Sequence, residues 1–120
     1  MKYDVIIVGA GPGGIYSAYE LTKKCGGKKI AVFDSGYTLK KRHCPIDGDK
    51  IKSCIKCKSC SIMSGFGGAG AFSDGKYIIS TEYGGWLPDF MEPAKVMDYI
   101  EQADQVPVGV VKQHPAGPHV

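Results

Sequence analysis

A chain of 120 residues and 12.9 kDa is expected to form one modest domain rather than a complete two-domain enzyme. Hydrophobic residues at 43% and charged residues at 22% exclude wholesale disorder and fibre classes. The net charge of +3 is concentrated: between Thr38 and Cys60, Lys40, Lys41, Arg42, Lys50, Lys52, Lys56 and Lys58 oppose only Asp47 and Asp49. That stretch reads as a solvated basic loop, and without interleaved aromatic residues it is not a nucleic-acid surface. Glycine is the outlier, 17 residues in clusters, which points to backbone that something approaches closely.

Tyr3 to Val8 is β-branched and apolar and predicts a strand buried on both faces, running into Gly9-Ala10-Gly11-Pro12-Gly13-Gly14. Ile15, Ala18, Leu21, Thr22 and Cys25 then recur at helical intervals up to Gly26-Gly27, and Ile30 to Phe33 makes a second short strand ending at Asp34. Strand, glycine turn, helix and strand compose a βαβ unit with a right-handed crossover. The first apolar run, Val5 to Val8, is far too short for a signal core or a membrane span. A cytoplasmic location without membrane contact is therefore expected, and five cysteines in a reducing compartment are not a disulfide frame.

Residues 36–64 carry no sustained periodicity and read as a cysteine-rich basic loop that needs a function to justify its length. A second glycine run, Gly65 to Gly75, follows, then a strand-like Tyr77-Ile78-Ile79-Ser80, a turn at Gly84-Gly85, and a helix opened by Pro93 with Val96, Ile100 and Ala103 on one face. Pattern is lost after Val106, so residues 1–106 are read as one domain and 107–120 as an irregular tail.

Gly9, Gly11 and Gly14 spell G-x-G-x-x-G after a strand and at the start of a helix, the context in which the motif binds a dinucleotide. Gly9 permits the sharp turn, Gly11 and the neighbouring Gly13 keep Cβ atoms away from a pyrophosphate, and Gly14 brings helix and sheet together. The helix N-terminus supplies N–H groups and a positive dipole end for the phosphates. Asp34, twenty residues after Gly14, can accept hydrogen bonds from the adenosine ribose and would repel a 2′-phosphate, which favours FAD or NAD over NADP. In the second run, five of eleven residues from Gly65 to Gly75 are glycine. Gly67, Gly68 and Gly70 with Ser73 and Lys76 make a second cofactor-contact loop. Gly70 to Lys76 also spells G-x-x-x-x-G-K, but Tyr77 stands where a P-loop needs Ser or Thr, and no strand precedes it.

The glycine turn with Phe33-Asp34-Ser35-Gly36, Cys44-Pro45-Ile46 and the run Gly65-Phe66-Gly67-Gly68-Ala69-Gly70-Ala71-Phe72-Ser73-Asp74-Gly75-Lys76 resembles the N-terminal part of bacterial uncharacterised FAD-dependent dehydrogenases. The resemblance covers roughly residues 1–106. It implies an α/β fold in which this βαβ unit belongs to an incomplete FAD/NAD(P)-binding domain, holding the ADP half of FAD on Gly9, Gly11, Gly14 and Asp34. NAD(P)H is the electron donor it implies for the full-length relatives. Many relatives carry Glu at the place of Asp34. By this reading the 120 residues are an N-terminal portion without turnover of its own, and the tail departs from the family.

Cys54, Cys57 and Cys60 form C-x-x-C-x-x-C with Cys44 ten residues upstream. Four such thiols can hold an iron–sulfur cluster or zinc, or act as free redox thiols, which leaves a metal-binding or redox-sensing module as the alternative function. Cys25 is read as packing. His43, His114 and His119 show no ligand or triad spacing, and no nucleophile–base pair is visible.

Overall fold

The computed structural model describes residues 2–73, 77–82 and 84–106. The chain divides into two compact units, whose described parts are residues 2–73 in the first and residues 77–82 and 84–106 in the second. The division falls inside the second glycine run.

The first unit is built on β1 (Val5–Val8), α1 (Pro12–Lys24) and β2 (Ile30–Phe33). The two strands pair in parallel, with Val5 opposite Ile30 and Val8 opposite Phe33. Asp4 fastens the ladder at its lower end: its Oδ2 accepts the Lys29 N–H at 2.7 Å, and its own N–H donates to Lys29 O at 2.8 Å. Val5 and Ile7 turn towards α1 and are half-buried, while Ile6 and Val8 stand exposed, Val8 by 87%. β1 is thus covered on one face, not on both as its apolar run predicts. Among the described residues α1 covers one face only, and an apolar run cannot by itself say how many faces are covered.

Pro12 opens α1 at its first position, where its fixed φ suits a helix and its missing N–H costs no bond. Glu20 pairs with Lys24 at 3.0 Å and Lys23 at 3.5 Å, exposed contacts that solvent screens, while Lys23 and Lys24 complement the C-terminal dipole. The helix closes at Cys25, whose N–H reaches Leu21 O at 2.8 Å, and Gly27 takes φ +84 on the way to β2. Ala18 on the inner face is buried. Cys25, expected to pack, is instead exposed, because it follows the last helical turn and leaves the stripe.

Residues 36–67 hold one short 3₁₀ turn, Leu39–Lys41, and a second 3₁₀ segment runs from Gly68 to Phe72. The second unit contains α2 (Leu87–Phe90) and α3 (Pro93–Asp104). Pro93 begins α3 and Val96 is its buried residue, as the Val96, Ile100, Ala103 stripe predicts. The short helix α2 had no counterpart in the sequence reading. Residues 77–80, read as strand-like, are irregular instead; among the described residues they have no partner strand with which to pair their backbone groups. Lys76, the tail 107–120, His114 and His119 lie outside the described residues. Among the described residues, no helix is long and apolar enough to cross a membrane.

Candidate functional site

The site grows from the end of β1. Gly9 donates to Phe33 O at 2.7 Å, extending the ladder by one bond, and then takes φ +99, a conformation that costs glycine nothing. The chain then turns and enters α1, where Ile15 N–H returns to Gly11 O at 3.0 Å. The N–H groups of Gly13 and Gly14 precede any intrahelical acceptor and, among the described residues, have no partner. They leave donors and a positive dipole end at the mouth of the turn.

The glycines sort into two groups by what a Cβ would meet. At Gly14 it would collide with Gly9 O and lie 3.4 Å from Ile7 Cγ2, so this glycine sets how closely α1 lies on β1. At Gly9, Gly11, Gly13 and Gly70 a Cβ would meet nothing within 4 Å. The first is closed by the protein's own backbone. Gly9, Gly11 and Gly13 leave the turn itself open, as a bound phosphate chain needs, and Gly70 is open within its own segment.

Asp34 leaves β2 beside this turn. Its Oδ2 accepts the Ala10 N–H at 2.7 Å and its Oδ1 accepts the Gly36 N–H at 2.8 Å. These bonds, the Ala10 one foremost, with smaller help from the Gly65 N–H and the positive charge of Arg42, hold the carboxyl below the usual aspartate range. A carboxylate offers about four acceptor sites, so these bonds still leave room for a further donor such as a hydroxyl.

Because the folded pKa is depressed, Asp34 contributes stability that is fully present above its unfolded value near 4 and is lost as pH falls through the folded value. Melting temperatures of wild type and Asp34→Asn, followed from pH 7 to pH 2, are expected to converge below about pH 4. A constant gap across that range would contradict this role for the charge. Asp34→Ala is the harsher change. It strands the N–H of Ala10, a buried residue, and is expected to cost roughly 1–3 kcal/mol at neutral pH.

The second glycine run docks on the first. Gly67 N–H donates to Ala10 O at 2.8 Å, and a Cβ on Gly68 would lie 3.3 Å from Gly11 Cα and 3.5 Å from Pro12 Cδ. Gly36 and Gly65 cross so tightly that a Cβ on Gly36 would lie 2.6 Å from Gly65 Cα. Gly67 and Gly68 are thus explained by chain packing on chain, Gly70 by open space. Ser73 is exposed after the 3₁₀ segment, its N–H on Gly70 O at 3.1 Å.

Arg42 holds this second run, and it stands apart from the solvated basic loop in which the sequence reading placed it. It is only 4% exposed. Its Nε donates to Ser61 O at 2.7 Å, Nη1 to Phe66 O at 2.6 Å and Gly68 O at 2.8 Å, and Nη2 to Ile62 O at 2.6 Å. The guanidinium also lies 4.8 Å from the Phe72 ring centroid. Sequence did carry a signal: Arg42 is the only arginine among 15 basic residues, and a planar fork of five donors does what lysine cannot.

The cysteines do not converge. Among the described residues no three His, Cys, Asp or Glu side chains form a group able to hold a metal ion. Cys54, Cys57 and Cys60 are exposed and Cys44 is half-buried, all as free thiols. Two of them face their own turns: Cys54 Sγ accepts the Lys56 N–H at 3.4 Å, and the N–H groups of Met63 and Ile62 draw the Cys60 thiol down from its usual pKa. With no three of these side chains grouped among the described residues, the four-cysteine ligand set does not fit an iron–sulfur cluster or zinc in this arrangement.

A family model described as an NAD(P)-binding Rossmann-like domain matches residues 7–39. The first unit holds a Rossmann-like βαβ fold. The match begins in β1, takes in the glycine turn, α1, β2 and Asp34, and stops before Arg42 and the second glycine run. No curated protein and no solved structure matches the chain. The matched segment thus holds the turn and the acid with which domains of that kind bind a dinucleotide.

Proposed function

We propose that residues 2–73 bind the ADP half of FAD as the N-terminal cofactor-binding part of a flavin-dependent oxidoreductase. The supporting observation is the meeting of three separate pieces of chain at one place: the turn from Gly9 to Gly14, the Asp34 carboxylate, and the second glycine run bonded through Gly67 to Ala10. The open positions at Gly11 and Gly13, beside free N–H groups at the start of α1, accommodate a pyrophosphate. Asp34 takes the ribose and disfavours a 2′-phosphate. The flavin ring, when bound, supplies the redox chemistry. This chain's residues bind and orient the nucleotide end.

The family match favours a second reading, binding of NAD(P) at the same turn. Calorimetric titration of the purified chain with FAD, ADP, NAD and NADP separates the two, together with flavin absorbance on purification. The expected order is FAD tightest, ADP next, NAD weaker and NADP weakest. Tighter binding of NAD than of FAD would transfer the assignment to a nicotinamide enzyme.

A further inference from the structure

We propose that Arg42, which has no place in the dinucleotide motif, is a positioning residue that sets the direction of the peptide groups in the phosphate-binding turn. This inference rests on the dinucleotide reading of that turn. It adds a residue that lies beyond the matched segment 7–39.

In a trans peptide the C=O and N–H point in opposite directions. The Phe66 carbonyl is held by Arg42 Nη1 at 2.6 Å, and the N–H of the same peptide, that of Gly67, donates to Ala10 O at 2.8 Å. The Ala10 carbonyl is thereby turned towards the second glycine run. The N–H on that next peptide, that of Gly11, is directed away from the run and has no partner among the described residues. From the other side the Ala10 N–H is taken by Asp34 Oδ2 at 2.7 Å. Ala10, buried in the middle of G-x-G, is clamped at both its donor and its acceptor.

Glycine makes this clamp necessary. Gly67 and Gly68 take φ of +86 and +59, and Gly65 takes φ +112. Such a segment can rotate its peptides at little steric cost, so its carbonyls need an external anchor. Arg42 supplies one by binding four carbonyls within residues 61–68. Its planar fork fixes both direction and distance, whereas a lysine offers a point charge with rotating donors. No bound nucleotide has to touch Arg42 for its replacement to alter binding.

The test compares wild type, Arg42→Lys, Arg42→Gln and, as a charge control at an exposed neighbouring position, Lys41→Gln. Hydrogen exchange is measured at the Gly67 amide and at amides of α1 and β2 in the ligand-free protein, and ADP affinity is measured well below each melting temperature. For Arg42→Lys we expect Gly67 protection to fall at least tenfold with α1 and β2 amides unchanged, and ADP affinity to fall about tenfold. Arg42→Gln is expected to behave the same way or worse, and Lys41→Gln to match wild type in both measurements. Unchanged Gly67 protection in Arg42→Lys overturns the proposal, as does an affinity loss matched by Lys41→Gln. Uniform loss of protection across Gly67, α1 and β2 also overturns it, since Arg42 would then act only on global stability. If wild type binds no dinucleotide, the dinucleotide reading fails while the exchange measurements still decide the clamp.

Discussion

Gly14→Ala is expected to destabilise the βαβ unit by about 3 kcal/mol or more, while Gly13→Ala, one residue earlier, leaves it as stable as wild type or slightly more so. The two substitutions add the same methyl group to the same helical turn. At Gly14 the methyl would occupy the space of Gly9 O and sit 3.0 Å from Gly9 C, so α1 has to lift from β1 or Gly9 has to abandon its turn. Both choices break backbone geometry that no rotamer change can relieve. At Gly13 the methyl meets nothing within 4 Å, and alanine is the better helix former by up to about 1 kcal/mol. Nucleotide binding separates the pair differently. The Gly13 methyl stands in the open space before the helix N-terminus, so ADP affinity is expected to fall about tenfold or more in a protein that melts normally. Thermal melts by far-UV circular dichroism and ADP titration check both halves. A Gly14→Ala variant that melts like wild type would refute the close helix–strand contact. A Gly13→Ala variant with full affinity would remove that space from the nucleotide site.

Gly65→Ala is expected to release the second glycine run from the first while β1, α1 and β2 stay folded. The added Cβ would lie 2.5 Å from Tyr37 O and 2.9 Å from Arg42 Cδ, on a residue whose φ is +112. Steric overlap and a backbone conformation that alanine rarely adopts act together, and about 2–3 kcal/mol of local stability is expected to be lost. Gly36→Ala strikes the same crossing from the opposite chain, so the double variant is expected to cost less than the two single changes added together. An arginine-specific protease reads the result directly, because Arg42 is the only arginine in the chain and is buried under the run. Cleavage after Arg42 is expected to speed up on the order of tenfold or more in either variant, as local opening becomes easier. Equal cleavage rates in wild type and Gly65→Ala would mean that the run is not held where the structure places it.

Much of the first unit was legible in the amino-acid order because its determinants are local. The change of period from strand to helix, the glycines at the turn and Pro12 at the helix start act within a few residues of one another. They led to β1, α1 and β2 without knowledge of any distant contact. The stripe of α3 was readable for the same reason, since Val96, Ile100 and Ala103 carry a helical spacing whether or not their neighbours are known. Other features depend on partners far along the chain. The exposure of Ile6 and Val8 follows from which faces are covered, and the irregular backbone at 77–80 from the lack of a partner strand there among the described residues. The cysteine spacing permits a ligand set, but whether the side chains meet is decided by how the intervening turns close, and among the described residues they do not group.

The amino-acid sequence by itself determined the βαβ unit, its glycine turn and the acid at the end of β2, because backbone sterics and hydrophobic period act locally. Only the tertiary structure decided which glycines are closed by chain and which face open space. It alone took Arg42 out of a run of solvated lysines and set it against carbonyls 19 to 26 residues away. Composition reports a charge, but burial and hydrogen-bond partners depend on what the folded backbone brings to it, and a guanidinium leaves water only where enough carbonyls converge to replace it.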